Sequence, residues 1–283
     1  MIKVGIIGLP VSHSLSPAMH KAAAAALGID LDYLPLAVRP GELGRAIEDL
    51  VSGNFRGVNV TVPHKESVIP YLDSLDGAAS AIGAVNTIVI DSSVGDAESQ
   101  AVLRGYNTDY SGFLAALDAL EWEAEAKNCL VLGAGGSARA ITYGLTKRMA
   151  RVAIASRRME QARSVVRDIH ASAGSGAPEA LDLGKLAEFC HGRRLDLIVN
   201  ATPLGMAPHE DQSPWPNGLA FPKNALAYDL VYGPLETTFL KDARSAGCQT
   251  INGFSMLIRQ GAQSFELWTG KKPDLQIMAD ALV

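Results

Sequence analysis

The sequence predicts a two-domain α/β protein, and three observations carry that expectation. Short β-rich apolar runs alternate with helical patterns along almost the whole chain, as expected of strands buried between helices. At 283 residues the chain is long enough for two modest domains. A fresh strand, glycine loop and helix begin near Asn128, after a first set of strands has ended.

The first set comprises "VGII", "YLPLAV", "GVNVTV" and "AVNTIVI". The opening "MIKVGIIGLP" reads as a first strand, because its apolar run is short and no small-residue cleavage pattern follows; a cytoplasmic protein is the expectation. "GIIGLP" lacks the second closely spaced glycine of a phosphate-binding loop and reads as a strand end. Polar "DSSVGDAESQ", residues 91 to 100, carries Gly95 between two strand-like runs and reads as a hairpin tip, which makes the first sheet mixed. Thr108 is expected to cap a helix with Phe113, Leu114, Leu117 and Leu120 on one face, and the second domain starts there.

Its strands are "CLVL", "RVAIA", "DLIVNA" and "ALAYDL", and "ASAGSGAPEA", residues 171 to 180, reads as a flexible loop. After Asn252, "GFSMLIRQGAQSFELWTG" forms one long helix and "PDLQIMADALV" a shorter one. Lacking a sheet of their own, they are expected to return to the first domain and form a hinge opposite the Thr108 helix. The domains are thus 1–108 plus 254–283, and 109–253.

Composition limits the function. An apolar share of 48% with 19% charged residues supports a sizeable core, and no apolar run approaches the ~20 residues a membrane helix needs, so no membrane partner is expected. A formal net charge of −5 offers no general attraction for nucleic acid, and an anionic ligand must be held by local groups. Cys129, Cys190 and Cys248 show no disulfide or metal-ligand spacing and read as small buried residues; no metal is expected.

"CLVLGAGGSARA" sets Gly133, Gly135 and Ala138 in G-x-G-x-x-A spacing between a strand and a helix. Such glycines permit a tight turn and close approach of the backbone to a pyrophosphate lying on the helix N-terminus. At the end of the next strand, where an acidic residue would accept from an NAD ribose, stand Arg157 and Arg158. They can fork onto a 2′-phosphate, which favours NADP; the alternative use of the pair is a solvated helix start.

In "VNVTVPHK", period-two alternation puts Asn59 and Thr61 on one face and Val58, Val60 and Val62 toward the core, with Lys65 just past the strand end. "SHSLSPAMHKAA" offers Ser16 as a helix cap before Pro17, leaving Ser14 without a structural task; two hydroxyls and open helix amides can hold a carboxylate. "AVNT" supplies Asn86, and "NTD" supplies Asp109 in the first turn of its helix. If Lys65 and Asp109 meet, the carboxylate orients an ammonium that suits proton delivery to an alkoxide formed by hydride transfer.

Ser-x-Ser-x-Ser-Pro, "NVTVPHK", "AVNT", "NTD", "GAGGSARA", "NATPLGM", "YGPLETTFL" and the final glutamine-bearing helix occur in this order over nearly the whole chain, which closely resembles the shikimate dehydrogenases. The resemblance implies a mixed-sheet substrate domain, a Rossmann-like NADP-binding domain, and reversible NADP-dependent reduction of 3-dehydroshikimate to shikimate. It implies Lys65 and Asp109 as the catalytic pair, Ser14 and Ser16 for the substrate carboxylate, and Asn59, Thr61, Asn86, Tyr232 and Gln260 around the ring hydroxyls.

For the cofactor it implies Gly133, Ala134, Gly135, Gly136, Ser137, Ala138, Ser156, Arg157, Arg158, Asn200, Ala201, Thr202, Gly253 and Met256. The chain departs from the family's pattern in two places: Ser156, Arg157, Arg158 and then Gln161 stand where Asn-Arg-Thr and a second arginine are usual, so that Arg157 matches and Arg158 compensates for the missing arginine, and Ser255 replaces a usual glycine. The partner is a small molecule, handled by a monomer or homodimer. Alternatives are a quinate/shikimate or aminoshikimate dehydrogenase, against which Ser16 and the arginine pair argue, and a non-catalytic NADP-binding paralogue, against which the retained Lys65 and Asp109 argue.

Overall fold

The structure, a computed structural model, describes residues 1–91, 101–173 and 176–282. In chain order the elements are β1 (Ile2–Gly8), α1 (Ser16–Ala26), β2 (Leu31–Ala37), α2 (Leu43–Ser52), β3 (Phe55–Val60), β4 (Ser74–Leu75), α3 (Gly77–Ile82), β5 (Thr87–Asp91), β6 (Val102–Tyr106) and α4 (Asp109–Asp118). Then follow β7 (Asn128–Leu132), α5 (Gly136–Lys147), β8 (Arg151–Ser156), α6 (Met159–Ala173), β9 (Glu179–Asp182), α7 (Leu186–Cys190), β10 (Leu197–Asn200), β11 (Leu226–Asp229), α8 (Thr238–Ser245), β12 (Gln249–Ile251), α9 (Phe254–Thr269) and α10 (Leu275–Asp280). Among the described residues no helix is long and apolar enough to cross a membrane.

The chain divides into two compact units, Met1–Gly112 with Ile258–Val283, and Phe113–Leu257. Both divisions fall inside a helix, α4 and α9, rather than at the helix starts, because a helix is continuous while its successive turns serve different cores.

The first unit holds a sheet in the order β2-β1-β3-β5-β6-β4, in which β5 runs antiparallel to both neighbours and the other pairings are parallel. The antiparallel β5–β6 pair is what a hairpin requires; its tip, residues 92 to 100, lies outside the described residues. Alternation along β3 sends Val58 and Val60 into a core with Ile7, Leu43, Ile47 and Ile88. Val62 departs from that pattern: β3 ends at Val60, period two ends with it, and Val62 is 56% exposed.

The opposite face of this sheet is covered by α1 and α9. Trp268 donates its indole N–H to the Ile88 carbonyl at 3.0 Å, and it reaches that oxygen across Gly57, where a Cβ would collide with both groups. α10 packs on α1, and α9 from Ile258 onward belongs to the same unit as the first sheet.

His20, on α1, is fully buried against Tyr33 (ring centroids 4.8 Å apart), Phe265 and Trp268, and neither ring nitrogen has a hydrogen-bond partner among the described residues. Burial pushes its pKa down to about 3 from 6.5. The unfolded chain therefore binds a proton that the folded chain refuses, so this contribution to stability is complete above pH 6.5 and is lost as pH falls toward 3. Urea midpoints measured through that window should fall more steeply for the wild type than for His20→Leu, and parallel slopes would contradict the assignment.

The second unit is an all-parallel sheet in the order β12-β11-β10-β7-β8-β9, the doubly wound arrangement whose strand order reverses between β7 and β10. One face buries Phe113, Leu117, Val131, Ile141, Tyr228 and Met256, and the other buries Leu132, Ile198, Trp215, Phe221 and Phe239. The stretch 171 to 180 is less of a loop than its small residues suggest: α6 runs to Ala173 and β9 starts at Glu179. Strands β4, β9 and β12 have two to four residues each, too few to show a period. α4 ends at Asp118, which leaves Leu120, expected on the apolar face, 49% exposed.

Candidate active site

In the first unit the candidate residues gather along one edge of the sheet. β1 and β3 end there and lead into Ser14 and into Thr61 and Lys65; β6 ends there and leads into Asp109. Antiparallel β5 starts at the same edge, just after Asn86. The carbonyl of Lys65 accepts from the Val85 N–H at 2.7 Å, which ties the lysine segment to the Asn86 turn.

Lys65 Nζ lies 2.6 Å from Asp109 Oδ2, with side chains only 13% and 6% exposed. The other oxygen of Asp109 accepts from Asn86 Nδ2 at 2.8 Å. Asn86 Nδ2 is also 3.2 Å from Gln260 Oε1, and Asn86 Oδ1 accepts from the Thr108 N–H at 2.7 Å. An ammonium is thus held at fixed orientation by a carboxylate that is itself clamped, which is the geometry a directed proton transfer needs.

Behind this pair runs a buried polar chain. Asn59 Nδ2 donates toward the Asn86 carbonyl, Thr87 Oγ1 and Ser264 Oγ at 3.0 to 3.2 Å, and Asn59 Oδ1 accepts from the Tyr33 hydroxyl at 2.8 Å. Asn59 does not stand on an open face for ring hydroxyls, as expected from alternation; α9 covers that face and consumes its amide. Thr108 likewise does not cap α4. Its hydroxyl turns toward Asn86, Gln260 and Ser264, and Asn107 Oδ1 accepts from the Asp109 N–H instead.

The serines exchange their expected tasks. α1 begins at Ser16 itself, and Ser14 Oγ accepts from the Ser16 N–H at 3.3 Å, so Ser14 serves the helix start. The Ser16 hydroxyl finds no partner among the described residues, and the Thr61 hydroxyl finds none either. Both remain available to a ligand.

In the second unit the glycine loop joins β7 to α5. Gly133 has φ +114°, and a Cβ there would press on the Ala201 carbonyl and Thr202, so the loop and the 201–202 turn stand wall to wall at the strand-order switch. At Gly135, the cap of α5, no atom of the described residues beyond its chain neighbours lies within 4 Å of where a Cβ would be, and the backbone is open to a phosphate. Ala134 and Ala138 are buried beneath, and Gly136 and Ser137 begin the helix.

Ser156 Oγ accepts from the Arg158 N–H at 3.1 Å just past β8, and Arg157 and Arg158 are exposed with no carboxylate partner among the described residues. Glu160 is 2.9 Å from Arg163 and does not neutralise them. Open glycines and two uncommitted guanidiniums fit a dinucleotide with a 2′-phosphate. Tyr232, whose phenol burial pushes up, belongs to this unit, and Met256 lies within its apolar core.

Sequence reasoning passed over Thr87, Ser264 and Asp229. Ser264 stands four residues after Gln260 on the same helix face, a spacing that could have revealed it. Asp229 reads as an ordinary strand-end acid and carries no such signal.

Two family models match the chain: the shikimate dehydrogenase substrate binding domain over residues 6–88 and the shikimate 5'-dehydrogenase C-terminal domain over residues 253–283. The NADP(+) shikimate dehydrogenase of Moorella thermoacetica is 45% identical over 97% of this chain and 90% of its own length. The crystal structure of shikimate 5-dehydrogenase from Thermus thermophilus in complex with NADP(H) and shikimate superposes with a TM-score of 0.83 at 36% identity, over 100% of this chain and 98% of that one. The quinate dehydrogenase of Corynebacterium glutamicum in complex with NAD gives a TM-score of 0.85 at 31% identity, over 99% and 98%.

Proposed function

The chain belongs to the shikimate dehydrogenase family, and from that premise we propose that it catalyses the reversible, NADP-dependent reduction of 3-dehydroshikimate to shikimate with Lys65 and Asp109 as its acid–base pair. The observation that carries the residue assignment is the 2.6 Å contact of Lys65 and Asp109 within the Asn86 and Gln260 network. NADPH, when bound, supplies the hydride.

Lys65 gives its ammonium proton to the alkoxide oxygen that forms at the reduced carbon, and takes it back when shikimate is oxidised. Asp109 keeps the ammonium aimed and balances its charge while Asn86 keeps Asp109 in place. The substrate carboxylate is assigned to the first turn of α1 through Ser16, with Ser14 shaping that turn. Thr61, Asn86 and Gln260 take the ring hydroxyls, and Asn59 supports Asn86 from behind. Neutral hydroxyls are matched by amides and hydroxyls, which donate and accept without the desolvation cost of charge.

For the cofactor, Gly133 to Ala138 take the pyrophosphate, Ser156, Arg157 and Arg158 the 2′-phosphate, and the Asn200 to Thr202 turn with Gly253 and Met256 the nicotinamide half. A cytoplasmic location is part of the same reading and suits three free cysteines.

The likeness to a quinate dehydrogenase favours a second reading in which quinate and NAD are used. A spectrophotometric panel of shikimate and quinate against NADP and NAD tests both. The highest kcat/KM is expected for shikimate with NADP; a clear preference for quinate with NAD would replace the first reading by the second.

A further inference from the structure

In the second unit, the side chain of Asp229 has no contact with solvent and sits at the end of β11, directly beside Asn200 at the end of β10. Its Oδ1 accepts from Asn200 Nδ2 at 2.9 Å and from the Val231 N–H at 3.0 Å, and its Oδ2 accepts from the Thr237 hydroxyl at 2.6 Å. The two donors on Oδ1 lead to segments assigned to the cofactor, whereas Thr237 caps α8.

Asn200 Nδ2 also reaches the Leu204 carbonyl at 3.0 Å, and Asn200 Oδ1 accepts from the N–H and hydroxyl of Thr202 at 2.9 and 2.7 Å. The 200–204 turn, against which Gly133 packs, is therefore closed by the Asn200 side chain together with the Thr202 hydroxyl, which accepts from the Leu204 N–H at 3.2 Å, and Asp229 holds Asn200. The Val231 carbonyl accepts from the Gly253 N–H at 3.0 Å, and a Cβ at Gly253 would strike the Leu230 carbonyl, so the residue just before α9 is locked to the same strand end.

A carboxylate in such a place is costly. Burial pushes its pKa up to about 6 from 3.8 against the pull of its three donors, so at neutral pH an ionised group is kept where an apolar one would be easier to bury. What the carboxylate supplies that an apolar side chain cannot is one oxygen shared by two donors, one at the end of β10 and one just past β11.

We propose that Asp229 is a positioning residue for the cofactor: through Oδ1 it fixes the Asn200–Leu204 turn and the Val231–Gly253 junction in register with the glycine loop. This rests on the assignment of the 200–202 turn and Gly253 to cofactor binding.

The test compares Asp229→Ala, Asp229→Ser and Asp229→Asn in the full chain, measuring kcat and the KM values for NADP and shikimate separately. An asparagine can turn its oxygen to the two donors and its NH2 to Thr237, so Asp229→Asn should keep the NADP KM within about threefold. Alanine and serine cannot bridge both donors, and the NADP KM should rise about tenfold or more with the shikimate KM changed much less.

A residue needed only for folding would lower kcat through the active fraction and leave both KM values alone, which would overturn the proposal. So would an NADP KM raised as much by asparagine as by alanine, or failure of both the alanine and serine variants to fold. Wild-type enzyme inactive with shikimate and NADP would instead defeat the functional reading on which the proposal rests.

Discussion

Replacing Lys65 with alanine is expected to lower kcat by roughly 10²- to 10⁴-fold, the usual loss when a positioned proton donor is removed. The side chain is mostly buried and its ammonium is 2.6 Å from Asp109. Substrate and cofactor binding should change far less, because Ser16, Thr61 and the glycine loop do not depend on the ammonium. The variant leaves the Asp109 carboxylate held by Asn86, and some stability will be lost with the ion pair, since breaking a buried pair exposes the cost of the other charge. Equilibrium binding of shikimate and NADP, thermal unfolding and single-turnover rates separate these effects. Turnover equal to the wild type in a variant that binds both ligands would remove Lys65 from the chemistry.

Replacing Arg157 and Arg158 together with alanine is expected to lower kcat/KM for NADP by about 10²-fold or more while leaving that for NAD within about threefold. Each charge-assisted contact to a phosphate contributes on the order of 1.5–3 kcal/mol, and each 1.4 kcal/mol is a factor of about ten. Both guanidiniums are exposed and make no ion pair among the described residues, so their removal should hardly affect folding. The missing second arginine at Gln161 makes the contrast sharper: if Arg158 did not compensate, the single Arg157→Ala variant would already show the whole loss. Equal losses for NADP and NAD would mean that the pair does not read the 2′-phosphate.

The cofactor half is the more legible in the sequence. Its signal is local: an apolar strand, glycines at set spacing, a helix, and the residues at the end of the next strand all lie within about thirty positions, as the fingerprint requires. The structure keeps that order from β7 through β8 and adds the reason for Gly133, the approach of the Ala201 carbonyl. The substrate half is legible as a set of residue types and not as a set of roles. Ser14 and Ser16 stand out together, yet the helix starts one residue earlier than a capping serine at 16 allows, and their tasks are reversed. Thr108 resembles a cap because a threonine before a helical pattern usually is one; here a stronger set of buried partners claims its hydroxyl.

By itself, the amino-acid sequence determined the alternation of strands and helices, the glycine loop with its two arginines, and the presence of a lysine, an aspartate and a group of amides and hydroxyls in a fixed order. Tertiary structure decided which of those polar groups are spent inside the protein and which face a ligand. Period two says that Asn59 and Val60 point to opposite sides of β3, but only the folded chain brings Ser264, 205 residues away, over Asn59. Side-chain direction follows from local backbone geometry, whereas what covers a face depends on segments distant in the chain, and a buried amide must take its hydrogen bonds from whatever arrives there.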